Sequence, residues 1–218
     1  MKNLLILLLF LNLAVLNLSC SDSDKTEDSN VLTGEQSEMG KVGVTVTSSS
    51  EEIAGVSNAS AEVTGLVNGV SNYTAQATVT NSVFKNMIAN YPGVTIEGDN
   101  VSVQDFKVQQ TTDGIKGLTG PDAGIVVKYN SNVGDTYPIG STGRVRTVVS
   151  KTGVDDYPYG FYFIKTIQVE SNRQGLRSAG VVDKITYIAN HRFGLVGVKV
   201  TLTDGTSTTF PIYSSAEN

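Results

Sequence analysis

Residues 193–213 read FGLVGVKVTLTDGTSTTFPIY. Val196, Val198, Val200 and Leu202 recur at every second position, the period of a strand with one buried face. Asp204-Gly205 then turns the chain, and Thr206–Tyr213 returns through residues that favour pleated backbone. An Asp-Gly step between two such runs predicts a tight hairpin. Thr201 and Thr203 against Thr206 and Thr208 suit a half-exposed outer face.

Working back from this hairpin, the same signature recurs. Val181 and Val182 lead into Ile185, Tyr187 and Ala189. Gly160–Val169 follows the most aromatic run, and Thr142–Ser150 has Val145, Val148 and Val149 as its apolar members. Gly124–Tyr129 reads as a further strand. Val94 and Ile96 lead through Gly98-Asp99 to Val101, Val103, Phe106 and Val108, with a change of phase near Asp105 that predicts a bulge or a strand end. Thr74–Thr78 and Lys41–Thr47 are strand-like. One helix interrupts the series near 81–90. Thr80 or Asn81 caps it, Val83, Phe84, Met87, Ile88 and Tyr91 form its stripe, and Pro92-Gly93 ends it. Eight to ten strands with wet outer faces and no strand–helix repeat predict a mainly β fold. It is either an antiparallel β-sandwich or a strongly curved, barrel-like sheet with one short helix. Gly117, Gly120, Pro121, Asp122 and Gly124 cluster where two β sub-units would divide, near 117–124.

The 218-residue chain carries a formal charge of −5, one Cys, one His and 22 Gly. A single Cys excludes an internal disulfide framework and multi-Cys metal sites. The charge is uneven. Between Ser21 and Gly40 stand Asp22, Asp24, Glu27, Asp28, Glu35 and Glu38 against Lys25 alone, while the chain after Gly40 holds 14 basic and 15 acidic residues. The fold is therefore near neutral and lacks the basic surface of a nucleic-acid partner. Residues 20–40 read as a hydrated tether, which extends to about 60 if the Ser-rich stretch 48–60 belongs to it. The β-rich domain then occupies 61–218.

Residues 1–19, MKNLLILLLFLNLAVLNLS, pair Lys2 with an unbroken apolar run from Leu4 to Phe10. They read as a secretory leader. Ser19-Cys20 follows, with Leu16 and Leu18 before it and Ser21-Asp22-Ser23-Asp24 after it. This junction resembles the lipidation site of bacterial lipoproteins, and the acidic run resembles that of surface-exposed lipoproteins of the Bacteroidetes group. Asn17 stands where the usual motif has Leu. The resemblance covers about 25 residues. It implies acylation of Cys20, a lipid membrane as partner, and a site on the outer membrane facing outward. Each buried CH₂ of such chains contributes about 0.8 kcal/mol of anchoring.

Three stretches carry candidate chemistry. Gly140-Ser141-Thr142-Gly143-Arg144 lacks the Gly-Lys-Ser/Thr ending and the following helix of a phosphate loop. Asp155-Asp156-Tyr157-Pro158-Tyr159 joins two carboxylates to a run of aromatics. Tyr157 and Tyr159 are candidates for a sugar or peptide platform. Asp155 and Asp156 are candidate hydroxyl acceptors or Ca²⁺ ligands. His191 and Arg192 lie in a turn between two strong strands and are candidates for a binding rim. The cations of the second half, Arg144 and Arg146 among them, read as mixed solvated charge. No residue is assigned a catalytic role. These features predict a lipid-anchored binding or structural module for a glycan or surface-protein ligand. The alternatives are a carboxylate-dependent hydrolase of carbohydrate or peptide, or an architectural subunit of a surface complex.

Overall fold

A computed structural model describes residues 30–48, 55–141, 143–172 and 182–216. The leader, Cys20, the run Ser21–Asp24, Thr142 and the Met87 side chain lie outside the described residues. The fold is mainly β, with a curled, half-barrel-like sheet and a single short α-helix among the described residues.

The first sheet collects β1 (Thr45–Thr47), β2 (Val56–Val67), β3 (Val70–Val79), β4 (Val94–Glu97), β5 (Asn100–Thr111), β6 (Gly114–Gly117) and β7 (Gly124–Lys128). Its order is β16-β1-β2-β3-β5-β6-β7, with β4 on β5; β16 (Tyr213–Ser214) returns from the C-terminus. The second holds β8 (Thr136–Ile139), β9 (Arg144–Lys151), β12 (Ile167–Asn172), β13 (Val182–Asn190), β14 (Gly194–Leu202) and β15 (Ser207–Pro211), in the order β15-β14-β13-β12-β9-β8. A separate hairpin pairs β10 (Tyr157–Tyr159) with β11 (Tyr162–Ile164). All pairings are antiparallel.

The chain changes sheet between β7 and β8 and again at Ile212, so the two sheets close on each other at both margins. One core cluster joins Val63, Tyr73, Ile115 and Val127 of the first sheet to Val148, Val169 and Ala189 of the second. Gly117 and Gly124 are paired neighbours across β6 and β7, so both sides of 117–124 belong to the same sheet.

The 193–213 stretch forms β14, β15 and the start of β16. Its turn has three residues: Leu202 N–H donates to Thr206 O, and Gly205, at φ +86°, donates to Leu202 O. The phase change at Asp105 is a bulge. Tyr73 pairs with Phe106 but Ala75 with Val103, and Asp105 adopts φ +56°. Asn81 caps α1 (Ser82–Ile88) by accepting from Val83 N–H at 2.9 Å. The buried Phe84 meets Phe210 edge-on, with ring centroids 6.2 Å apart. Its cluster includes Val79 and Val101 from one sheet and Val200 and Leu202 from the other, so the helix packs where both meet.

The N-terminal boundary departs from the sequence expectation. Residues 30–40, read as tether, lie on the fold. Leu32 and Met39 are buried, Gln36 bridges Thr111, and the buried Ser71 hydroxyl donates to Gly40 O at 2.6 Å. Two apolar side chains suffice because docking onto an existing sheet orders few residues and buries both. The stretch 48–60 likewise contains the start of β2. Asn68-Gly69 takes positive φ at both positions, so β2 and β3 join in a two-residue hairpin.

Candidate functional site

The Tyr157–Tyr159 strand and the 190–194 turn meet through the rings of Tyr159 and Phe193. The β10–β11 hairpin lies against the 190–194 turn, where the Asn190 carboxamide oxygen accepts from Arg192 and Phe193 N–H at 2.7 and 3.1 Å. Tyr159 is buried, its ring 5.2 Å from both Phe193 and Tyr213. Tyr157 is half-buried, and desolvation raises its hydroxyl pKa above the usual value. Tyr159 therefore serves as packing, which leaves Tyr157 as the one of the pair with accessible surface. Asp155, Asp156, His191 and Arg192 are exposed. No group of three His, Cys, Asp or Glu that could hold a metal occurs among the described residues. The hairpin tip presents Phe161, fully exposed, with Tyr162 and Phe163 about two-thirds exposed.

A second site lies between the sheets and was not foreseen. It is a cavity of about 410 Å³. Register explains its wall. Val46 pairs with Ala61 and Ala61 with Ala75; Tyr73 pairs with Phe106; Val108 pairs with Gly117 and Gln110 with Ile115. Cross-strand partners share a face, so these residues line one inner surface. Ile185, Tyr187 and Leu195 supply the opposite wall, and Ile88 and Tyr91 approach from the helix and its exit. The alanines and Gly117 matter by what they omit, because larger side chains there would fill the space.

Apart from Thr119, Ser214 and Tyr187, the polar side chains of the wall fall in two clusters. In one, the Tyr73 hydroxyl donates to Met39 O at 3.2 Å and accepts from the Gln110 amide. Burial pushes the Tyr73 hydroxyl up to about 12, although the Gln110 bond opposes the shift. In the other, the Asp122 carboxylate accepts from Arg144 at 2.8 Å and from the Tyr91 hydroxyl. Arg146 joins the second cluster by donating from its two terminal nitrogens to Ile125 O and Asp122 O.

Arg146 is 1% exposed and its guanidinium carbon lies 5.5 Å from the Tyr187 ring centroid. Its strand neighbour is Ser171, whose small side chain leaves room for that reach. Arg144 and Arg146 thus depart from the solvated charge expected of them. On β9 the buried face carries Arg146 and Val148, while Val145 and Val149 point outward. The imperfect alternation of Thr142–Ser150 was the visible sign: the strand's inward positions include cations.

Comparison with family models, with curated proteins and with solved structures gives no match for this chain.

Proposed function

We propose that this protein is a binding module whose ligand is a small, largely apolar molecule held between the two sheets. The observation that carries this reading is the cavity itself: about 410 Å³, walled by side chains of both sheets, with few polar groups. That size and composition match small-molecule sites in general. None of Asp155, Asp156, Tyr157, Tyr159, His191 or Arg192 lines it, so this reading differs from a glycan or peptide rim, and from a hydrolase, at the hairpin corner. Presentation outside the cell, on the outer membrane through acylated Cys20, belongs to the same proposal and is supported by the leader and the acidic run. The purified folded domain is expected to bind a neutral apolar fluorophore such as N-phenyl-1-naphthylamine saturably, at one site. Folded protein that leaves the probe's fluorescence unchanged overturns the interior site. Substitution Cys20→Ser should move the full chain from the membrane fraction to the soluble fraction; unchanged retention overturns the anchor.

The Phe161-Tyr162-Phe163 tip favours a second reading, an architectural subunit that docks through this hairpin. Exposed aromatics in contiguous array mark interaction surfaces. A photocrosslinker placed at Phe161 in producing cells should give one discrete adduct, and no adduct would remove this reading.

A further inference from the structure

We propose that the cavity takes an anionic amphiphile, with a carboxylate headgroup bound at Arg146 and an apolar chain along the wall formed by Phe106, Val108 and Ile185. The proposal rests on the interior-site reading above and adds the ligand's chemical class.

Its basis is the electrostatics of one cluster. Arg146 lines the cavity and is almost wholly buried. Among the described residues no carboxylate forms an ion pair with it, because the Asp122 carboxylate is engaged by Arg144 and Tyr91. Two guanidiniums and one carboxylate leave this cluster with a charge of +1. Arg146 meets only carbonyl oxygens and the Tyr187 face, and its Nε has no hydrogen-bond partner. A buried charge without a counter-charge is unfavourable, and so is an unpaired N–H on a charged group. A carboxylate would answer both at once, since the guanidinium fork presents Nε–H and a terminal N–H in parallel to two oxygens. The apolar wall around it then selects a headgroup that carries a hydrocarbon chain.

The experiment is displacement of N-phenyl-1-naphthylamine from the purified full chain by dodecanoate and by 1-dodecanol, which share a hydrocarbon chain and differ in charge. In the wild-type protein dodecanoate is expected to displace the probe at about tenfold lower concentration. In Arg146→Gln the preference should fall to about twofold or less, with dodecanol affinity kept. Equal displacement by the two ligands in the wild type overturns the assignment of Arg146 while leaving the interior site standing. Failure of the probe to bind, or of both ligands to displace it, is failure of the interior site. A variant that does not fold is bypassed by observing arginine Nε–H resonances of the wild type. Dodecanoate should shift one of them strongly and dodecanol should not; no shift with dodecanoate overturns the proposal.

Discussion

The Arg146 guanidinium lies over the ring of Tyr187, 5.5 Å from its centroid, although the two residues stand on strands separated by β12. The ring's negative face offsets part of the cost of burying the charge. Such contacts are worth about 2 kcal/mol when desolvated. Substitution Tyr187→Leu should therefore lower stability by about 1–2 kcal/mol in chemical denaturation, whereas Tyr187→Phe should stay within about 0.5 kcal/mol of wild type. Equal losses in both variants would assign the effect to the hydroxyl instead.

Ala75 sits in the cavity wall beside Ala61. Substitution Ala75→Leu projects a larger apolar side chain into that space. Filling a cavity commonly raises stability by about 0.5–2 kcal/mol. The expected outcome is a higher melting temperature together with at least about tenfold weaker probe binding. Unaltered probe affinity would place the ligand elsewhere.

Leu32 tests whether the segment before β1 belongs to the fold. It is 6% exposed and packs in the main core cluster. Substitution Leu32→Ala should cost about 2–4 kcal/mol, measured by urea unfolding. A residue of a solvated spacer would cost less than about 0.5 kcal/mol.

Alkaline pH should weaken the fold. Burial raises the Tyr73 hydroxyl from 10.0 to about 12, and Tyr129 is displaced upward by burial as well. With the folded-state value above the unfolded one, the unfolded chain releases its protons first. The contribution is complete below about pH 10 and is lost as pH rises through about 12. At 1.36 kcal/mol per unit, Tyr73 alone accounts for as much as about 2–3 kcal/mol. The denaturation midpoint should fall across this window, and less steeply in Tyr129→Phe. Identical profiles for that variant and wild type would clear Tyr129 of the effect.

Much of the fold was legible in local sequence. The 193–213 hairpin, a cap at Thr80 or Asn81 and a break of phase at Asp105 all follow from periodicity and turn chemistry, which neighbouring residues decide; the structure selects Asn81 and a bulge. The Asn68-Gly69 hairpin carries an equally clear signal, yet β2 before it has no strand pattern in sequence and β3 after it shows one only over Thr74–Thr78. Those strands hold Ser, Asn, Thr and Ala where a strand of stronger pattern holds Val or Ile. Sixteen strand segments occupy the described residues, more than the eight to ten expected from sequence, and several are only two to four residues long.

The candidate site was less legible, and Arg146 shows why. In sequence it is one cation of a strand whose apolar members are Val145, Val148 and Val149, on no single face. Which face of β9 turns inward is set by pairing with β8 and β12 and by the first sheet closing over it. The cavity has the same origin: Ala61 and Ala75 are unremarkable until register places them side by side. The mainly β class, the turns and the helix are readable from the chain alone, since they depend on backbone preferences over a few residues. Tertiary structure decided that a charge lies inside and that a space remains around it, since both depend on strands distant in the chain sharing one interior.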